Sequence, residues 1–206
     1  MLDVLSAQPS LSTSRYHISL AVDDNEIREA QRLRYKVFAE EMGARLSSVL
    51  PGHDIDLYDP FCDHLLVRDL ASGEVVGTYR ILPPDAAKRV GSYYSEQEFD
   101  LTRLQFLRPR MAELGRSCVH PAHRSGAVIA RLWIGLADYM TRYGYEYIVG
   151  CASIGMADGG HVAASVYRQI IQRHLAPIEW RATPRYRLPV ESLDEGQTAT
   201  LPPLIK

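Results

Sequence analysis

Apolar positions recur along the chain with two different periods, and the period decides whether a strand or a helix is predicted. Tyr16 to Val22 alternates as a strand does, and Asp23 to about Met42 has one apolar face at helical spacing. The runs His64 to Leu70 and Glu74 to Leu82, separated by a short turn sequence, predict an antiparallel strand pair. The first half is therefore predicted to be strand, helix and strand pair.

The second half predicts strand, helix, strand and helix. A strand is indicated from Glu113 to Val119, Pro121 stops it, and a helix follows from Gly126 through Met140. The nearly continuous apolar run Tyr147 to Ile154 predicts a strand buried on both faces, and Val162 to Leu175 predicts a last helix. The inner faces of the two helices are predicted to carry Ile129, Leu132, Trp133, Leu136 and Met140 in the first, and Ala163, Val166, Tyr167, Ile170 and Ile171 in the second.

Three stretches fit neither period. Residues 1–15 are rich in Ser and are predicted to be a loose N-terminal tail, with residues 16–206 forming a single domain. Gly43 to Phe61 is too polar for core and too long for a hairpin, so we interpret it as a functional loop. Asp85 to Pro109 is interpreted as a mobile excursion.

Composition excludes several classes of protein. The chain has 206 residues, of which 46% are hydrophobic and 23% charged, and no apolar run reaches the length of about 18 residues that a membrane span requires. Its net charge of −2 argues against a general nucleic-acid binder. There is no signal-peptide pattern, so we predict a cytoplasmic protein. The three cysteines, Cys62, Cys118 and Cys151, lack metal-ligand spacing, and we predict no metal site.

Charge is distributed unevenly although the total is near zero. Acids occupy one stretch, from Leu46 to Val67, where there is no Lys or Arg, and arginines dominate another, from Leu101 to Arg131. The acidic stretch suits a cation and the basic stretch suits an anion, with ordinary solvated surface as the alternative for each. The acids are Asp54, Asp56, Asp59 and Asp63, and the arginines are Arg103, Arg108, Arg110, Arg116, Arg124 and Arg131.

The stretch Met111 to Val128 combines a strand end, a turn and a helix start, and we interpret it as the centre of the active site. Free N–H groups in the first turn of a helix can hold an anion or a polarised carbonyl. Glu113 and Arg116 lie just before that turn. A salt bridge between these two residues along the strand is the structural alternative to a catalytic role. His64 and Asp69 are not interpreted as a catalytic dyad, because residues five apart in a strand face opposite sides.

The order of elements resembles the GNAT superfamily of N-acyltransferases. This resemblance implies an α/β (α+β) fold with a central mixed sheet and flanking helices. From Arg34 onwards the chain is more closely similar to the bacterial ornithine N-acyltransferases that make lyso-ornithine lipid. The similarity is carried by Arg34-Tyr-Lys-Val-Phe-Ala-Glu-Glu-Met-Gly-Ala, Cys62-Asp-His-Leu-Leu-Val, Val76-Gly-Thr-Tyr-Arg-Ile-Leu, Tyr94-Ser-Glu-Gln-Glu-Phe-Asp-Leu, Glu113-Leu-Gly-Arg-Ser-Cys-Val and Gly150-Cys-Ala-Ser.

The resemblance, together with a more distant one to acyl-homoserine-lactone synthases, implies roles for individual residues. Glu113 and Arg116 are implied to be catalytic, and Val119 and the turn after it are implied to hold the donor. Both families join an acyl group from an acyl carrier protein to the amine of an amino-acid-like acceptor. The implied acceptor-binding residues are Arg34, Asp54, Asp56, Asp59 and Arg80, and the remaining implied donor-binding residues are Arg124, Ser125, Gly126 and Ala127.

Two departures from the family patterns change what we expect of the donor and of the C-terminal end of the domain. The segment Arg124-Ser-Gly-Ala-Val-Ile has its glycine one place early and lacks a second glycine, which disfavours a coenzyme A pyrophosphate and suits a donor carried on a protein. The relatives continue past Lys206 with strand-like sequence, so a truncated form is expected. The donor implied is an acyl-phosphopantetheine thioester, with no permanently bound cofactor.

The chemistry expected is direct acyl transfer. Glu113 is predicted to remove the proton that the ammonium of the acceptor carries at neutral pH. Backbone N–H groups near Val119, with Arg116, are predicted to stabilise the oxyanion, and Cys118 is not expected to carry the acyl group. The resemblance implies transfer of a (3-hydroxy)fatty acyl group from acyl carrier protein to the α-amine of ornithine, with peripheral contact at the inner membrane through the lipid product. The alternatives are a long-chain N-acyl amino acid synthase with another acceptor and a non-catalytic module that binds acyl thioesters.

Overall fold

The computed structural model describes residues 15–193 and 199–201 of the chain. The predicted loose tail therefore lies outside the described residues except for Arg15, and so does the end of the chain where truncation is expected. Within the described residues, no helix is long and apolar enough to cross a membrane.

The described part of the chain contains five α-helices and seven strands, and several short 3₁₀ turns connect them. The helices are α1 (Asp24–Tyr35), α2 (Pro84–Val90), α3 (Ser95–Glu98), α4 (Ala127–Tyr143) and α5 (His161–His174). The strands are β1 (Tyr16–Leu20), β2 (Asp63–Asp69), β3 (Val75–Leu82), β4 (Phe99–Asp100), β5 (Met111–Val119), β6 (Tyr147–Val149) and β7 (Thr183–Pro184).

Five of the described strands form a mixed sheet in the order β1-β2-β3-β5-β6. Strands β1 and β2 are antiparallel, with Tyr16 opposite Asp69, and β5 and β6 are parallel, with Met111 opposite Tyr147. Strands β4 and β7 pair separately as a small antiparallel sheet. The predicted central mixed sheet with flanking helices is confirmed.

The chain groups into two compact units. The first contains the described residues up to Ile55, His64–Tyr79 and Ser117–Asp138, and the second contains Asp56–Asp63, Arg80–Arg116 and the described residues from Tyr139. Each unit has its own apolar cluster.

In the first unit, helix α1 begins where its sequence predicts. The Asp23 carboxylate accepts hydrogen bonds from the N–H groups of Asn25 and Glu26, so it caps the first turn. Beyond Tyr35 the helix continues as a π-helix, Lys36–Glu41. The buried face of the helical segment packs with residues of β2, β3 and β5 in a cluster of Ala30, Leu33, Val37, Leu66, Val75 and Cys118.

Two glycines of the first unit allow α4 to approach the strands closely. A Cβ at Gly77 of β3 would lie 2.5 Å from Val128 Cγ1, and a Cβ at Gly135 of α4 would lie 2.2 Å from the Ile18 side chain. Both contacts are with side-chain atoms, so a larger residue at either position would require the Val128 or Ile18 side chain to move. Trp133 of α4, which was predicted to face inward, is instead 46% exposed.

The second unit corrects the interpretation of residues 85–109. This stretch is not a mobile excursion, because it folds into α2, α3, β4 and a 3₁₀ segment, Thr102–Arg110. Tyr93 is only 1% exposed, and its hydroxyl donates to the carbonyl of Met111 at 2.6 Å. No periodic pattern is visible here because the elements are short. The stretch packs in a core of Tyr58, Leu82, Ala86, Ala87, Tyr93, Leu101, Leu104, Leu107 and Met111.

Two further predictions in the second unit are wrong. The run Tyr147 to Ile154 forms a strand only as far as Val149, and Ile148 is 47% exposed, so this strand is not buried on both faces. It lies at the edge of the five-stranded sheet, so it has a neighbouring strand on one side only. In α5, Tyr167 was predicted to face inward and is 48% exposed, whereas Ala163 and Val166 are buried as predicted.

Candidate active site

Glu113 lies on β5 in the second unit, and its carboxylate holds the start of helix α3. Oε2 accepts a hydrogen bond from the N–H of Tyr94, and Oε1 accepts one from the N–H of Ser95, both at 2.6 Å. The Ser95 hydroxyl also donates to Oε1. Helix α3 has no side-chain cap of its own, so the carboxylate satisfies N–H groups that would otherwise lack an acceptor.

Glu113 is 5% exposed, and burial changes its acidity. Burial raises the pKa of Glu113 above its usual value, against the hydrogen bonds of Ser95 and Tyr94 and the charge of Arg80, which lower it. A carboxylate whose pKa is raised in this way binds a proton more readily and is a better general base near neutral pH.

Next to Glu113 in the second unit is a group of charged residues centred on Asp56. The Asp56 carboxylate lies 2.6 Å from an Arg80 nitrogen and 3.4 Å from an Arg116 nitrogen, and Asp59 lies 3.4 Å from Arg80. Burial pushes the pKa of Asp56 up, but the charge and hydrogen bond of Arg80, helped by Arg116, leave it below its usual value. Asp56 is therefore ionised at neutral pH.

The three acids predicted to bind the acceptor differ in their accessibility. The Asp56 side chain is 23% exposed, whereas those of Asp59 and Asp54 are only 3% and 4% exposed. The interpretation of residues 43–61 as too polar for core is wrong, because Asp54, Tyr58 and Asp59 are all buried. Each buried acid faces an arginine from another element, which is how a folded chain makes a buried charge tolerable.

The backbone of β5 leaves the extended conformation at Arg116. The φ of this residue, 52°, is the one positive φ among the described residues other than glycine. A non-glycine residue in this region carries backbone strain, and such residues are concentrated at functional sites. The register of β5 with β6 extends only from Met111 to Glu113, so Arg116 comes after the part of β5 that pairs with β6.

Two tyrosines lie against these arginines. The Arg80 guanidinium is 5.9 Å from the centre of the Tyr58 ring, and that of Arg116 is 5.7 Å from the centre of the Tyr94 ring. The rings themselves meet edge to face, with their centres 5.8 Å apart. These contacts help to hold the guanidinium groups in place.

The cysteines do not have the acidity of acyl carriers. Burial raises the pKa of Cys118 and of Cys62 to about 12 in each case. The thiolate is the nucleophilic form, so it is scarce for both residues at neutral pH. The Cys151 thiol donates to the Ser95 hydroxyl over 3.4 Å.

Arg34 and Asp54 belong to the first unit, where they form a buried ion pair. Arg34 is 0% exposed, and its Nε lies 3.0 Å from Asp54 Oδ2. Its guanidinium also donates to the Asp54 carbonyl and lies 3.5 Å from His64 Nδ1. Their predicted role in acceptor binding stays a prediction, and the contacts seen here hold the loop before Asp56 against α1.

The predicted donor-binding residues lie on one turn of the first unit. Arg124 donates to the carbonyl of Val119 at 3.2 Å and pairs with both oxygens of Glu41, at 2.5 and 2.7 Å. Ser125, Gly126 and Ala127 are exposed, and helix α4 begins at Ala127. The turn therefore leaves the start of the helix exposed to solvent, and its predicted role in holding the donor stays a prediction.

Several side chains of the arginine-rich stretch form ion pairs that the sequence does not reveal. Arg108 pairs with Glu96, Arg110 with Glu146 at 2.6 Å, and Arg124 with Glu41. These acids lie 12, 36 and 83 positions away along the chain, so a local charge count does not find them.

Sequence reasoning missed the residues that surround Glu113. Tyr58, Tyr94 and Ser95 were given no role, although Tyr94 and Ser95 begin one of the stretches on which the family resemblance rests. Their position in that stretch was the signal in the sequence that could have identified Tyr94 and Ser95. Among the described residues, no group of three or more His, Cys, Asp or Glu side chains could hold a metal ion.

Replacing Ser95 by Ala is expected to move the acid limb of the kcat/KM pH profile to higher pH. Its hydroxyl and N–H lower the pKa of Glu113, and the substitution removes the hydroxyl bond, so the carboxylate should hold its proton up to a higher pH. Cys151→Ala is the matched control, since it removes the other partner of that hydroxyl. A purely structural Ser95 would lower stability without moving the limb.

Comparison with known proteins agrees with this fold. Residues 33–134 match the acetyltransferase (GNAT) domain family. The acyl-homoserine-lactone synthase LasI has a similar fold, with a TM-score of 0.53 and 21% identity over 74% of this chain and 79% of that one.

Curated relatives are more similar in sequence. An L-ornithine N(alpha)-acyltransferase of Rhodobacter capsulatus is 43% identical over 79% of this chain, and the match spans 65% of that relative, just under two thirds of its length. The enzyme of the same name from Brucella abortus is 36% identical over 92% of this chain and 73% of its own length. The predicted family and the GNAT fold are thus confirmed, and the chain belongs to the L-ornithine N(alpha)-acyltransferase family of acyltransferases.

Proposed function

We propose that this chain transfers a (3-hydroxy)fatty acyl group from an acyl carrier protein to the α-amine of ornithine, the first step of ornithine lipid synthesis. The names of the relatives from Rhodobacter capsulatus and Brucella abortus support this acceptor. The observation that carries the reaction type is the Glu113 carboxylate, buried and fixed by three donors beside the charged group of Asp56, Arg80 and Arg116.

In the proposed reaction, Glu113 takes one proton from the α-ammonium of ornithine, directly or through one water. The freed amine attacks the thioester carbonyl and forms the new C–N bond. Arg116 and backbone N–H groups near Val119 stabilise the negative charge on the carbonyl oxygen. The C–S bond then breaks, and the thiol of the donor leaves with the proton that the attacking nitrogen gives up. No cofactor has to stay bound, since the acyl group arrives on a phosphopantetheine arm.

Ornithine carries a second ammonium, on its side chain, which needs a carboxylate partner. Asp56 is the best candidate, because it is ionised and the most accessible of the three loop acids. Its two oxygens already face Arg80 and Arg116, so a third cation would share a carboxylate that two guanidinium groups hold in a fixed orientation.

Asp56→Asn is expected to raise the KM for ornithine by about tenfold or more, with little change in the KM for the acyl donor. The substitution keeps the shape of the side chain and removes the charge that would meet the ammonium. Steady-state kinetics with each substrate varied in turn measures both constants.

Asp59→Asn is the matched control, because Asp59 also faces Arg80 but is nearly inaccessible. It should reduce stability and raise the ornithine KM less than Asp56→Asn does. Equal increases in both KM values for Asp56→Asn would mean that Asp56 is structural.

Acyl carrier protein is the proposed donor protein. We expect its thioesters to be used far better than the matching coenzyme A thioesters, and this preference should shrink as salt screens the charges. The support is the arginine-rich sequence around β5 and the departure of the turn Arg124 to Ala127 from the usual phosphate loop. Initial rates with both donors at low and high salt test it, and equal use at every salt concentration would contradict it.

The proposed reaction is tested by incubating the purified chain with ornithine and 3-hydroxyacyl carrier protein and analysing the products by mass spectrometry. An amide-linked acyl ornithine is expected. A product formed only from another amino acid would indicate a long-chain N-acyl amino acid synthase. Binding of the donor without any product would indicate a module that only binds acyl thioesters. The product is an amphiphile, so the proposal includes peripheral contact with the inner membrane.

A further inference from the structure

An exposed group of aromatic, aliphatic and arginine side chains lies in the second unit, away from the contacts of Glu113 and Asp56 described above. Phe106 is 59% exposed, Ile178 is 62% exposed and Trp180 is 41% exposed. Phe106 and Trp180 meet edge to face with their centres 6.2 Å apart, and Arg103 donates to the carbonyl of Ile178. We call Arg103, Phe106, Ile178 and Trp180 the Trp180 surface.

The Trp180 surface is part of a folded structure. Trp180 also packs edge to face on Tyr147, 5.8 Å between centres, and Arg110 lies 5.8 Å from the centre of that ring. Just after Trp180 the chain pairs with β4, with Thr183 opposite Asp100. The apolar side chains are therefore held outward by the fold.

The sequence after Ile178 is basic. From Ile178 to Arg187 there are three arginines, Arg181, Arg185 and Arg187, and one acid, Glu179. Arg181 donates to the carbonyl of Ala176 and Arg185 donates to the carbonyl of Glu96, each at 2.7 Å. These hydrogen-bond partners are neutral carbonyl groups. The Asp100 carboxylate of β4 lies near Arg185 and Arg103, and hydrogen bonds from Thr102 together with the charges of these two arginines lower its pKa. Arg181 and Arg187 are therefore the arginines on which the positive charge of this segment mainly rests. Tyr186, between two of the arginines, is 90% exposed.

We propose that the Trp180 surface, with the arginines that follow it, docks the protein on an anionic lipid surface. Trp, Tyr and Ile side chains with arginines beside them have the composition of interfacial membrane-binding segments, in which apolar groups enter the boundary region and cations meet lipid headgroups. This inference names the surface for the membrane contact included in the proposed function. It fits a reaction whose product carries a long acyl chain and has to enter a lipid phase.

An acidic protein could also be attracted by the arginines, but it does not account for the apolar groups as well. Ile178 and Tyr186 are more than half exposed, and the face of a soluble protein gains little from such side chains unless they become covered. A lipid interface takes up both kinds of side chain at once, so we commit to an anionic bilayer as the partner.

The test uses the full chain and vesicles of phosphatidylcholine, with or without phosphatidylglycerol. The protein has two tryptophans, so Trp133→Phe leaves Trp180 as the one fluorescent reporter. Its emission is expected to shift to shorter wavelength with the anionic vesicles and to stay unchanged with the neutral ones. High salt should reverse the shift, because the arginine contribution is screened. No shift with anionic vesicles would overturn the proposal.

Substitutions separate the contribution of the arginines from that of the apolar side chains. Arg181→Glu with Arg187→Glu is expected to weaken partitioning into anionic vesicles by about tenfold or more, and Ile178→Ser by about fivefold. Arg28→Glu, at an exposed position of α1, is the control for a charge reversal and should bind normally. Unchanged partitioning in both surface variants would overturn the proposal, as would binding of acyl carrier protein at this surface without any affinity for vesicles.

The outcome is independent of the proposed reaction. Partitioning is measured without substrates, and turnover with soluble donor and ornithine is measured without vesicles. The surface variants should retain that turnover, because none of the substituted residues contacts the Glu113 site. Vesicle binding by a chain that makes no acyl ornithine would contradict the proposed function and leave the docking surface intact.

Discussion

Glu113→Gln is expected to lower kcat by about 10² or more, a loss typical of a missing general base. An amide cannot take the proton from the α-ammonium of the acceptor, so only the small fraction of free amine can react. That fraction grows with pH, and the deficit should therefore shrink as the pH rises toward the pKa of the acceptor's amine. Pre-steady-state or steady-state rates at several pH values measure both effects.

Glu113→Gln also removes a hydrogen-bond acceptor that stabilises the fold. Its effect on stability therefore has to be separated from its effect on the rate. Glu113 accepts hydrogen bonds at both oxygens, and the NH₂ group of Gln would face one of the donors, Tyr94 N–H or Ser95 N–H. A buried donor left without its acceptor costs about 1–3 kcal/mol. Rates should be compared at a temperature where denaturation curves show both proteins folded.

Glu98→Gln is the matched control, an identical change at an exposed position of α3. It should leave kcat unchanged. A folded Glu113→Gln variant with normal turnover would remove Glu113 from the chemistry. The carboxylate would then serve only to hold the first turn of α3 through Tyr94 and Ser95.

The elements with a regular period were predictable from the sequence. Strand β1, helix α1 and the pair β2 and β3 occur within a few residues of their predicted bounds. Helix α1 has one buried face that imposes its period on the apolar residues, and β2 and β3 are buried at nearly every position and separated by a short turn sequence. Residues 84–110 were not predictable in this way. Their helices and strand are two to nine residues long, and what fixes them is contact with distant residues, such as the Tyr93 hydroxyl with Met111.

The residues of the candidate site were predictable from the sequence, but the ion pairs that they form were not. Glu113, Arg116, Asp56 and Arg80 were all identified, and the structure brings them together in the second unit. The acidic stretch from Leu46 to Val67 contains no arginine, yet Arg34 and Arg80 reach it from α1 and β3. Pairing across 20 or more positions depends on the fold, so a charge count along the chain misses it.

Arg34→Met is expected to lower the free energy of unfolding by about 3–5 kcal/mol. Arg34 is fully buried and its guanidinium faces the carboxylate and the carbonyl of Asp54, which is 2% exposed. Removing the cation leaves a buried anion without the charge that offsets its loss of hydration. Urea denaturation followed by circular dichroism gives the difference.

Arg32→Met is the control for the Arg34 substitution, because it makes the same change on the same helix at an exposed position. It should alter stability by no more than about 0.5 kcal/mol. The pair of variants decides between two roles for Arg34. If Arg34→Met were as stable as Arg32→Met and raised the KM for ornithine, Arg34 would belong to the acceptor site, as the family resemblance implies. If it unfolds at much lower urea, and the ornithine KM of the folded fraction is normal, the Arg34–Asp54 pair is what holds the loop that leads into Asp56.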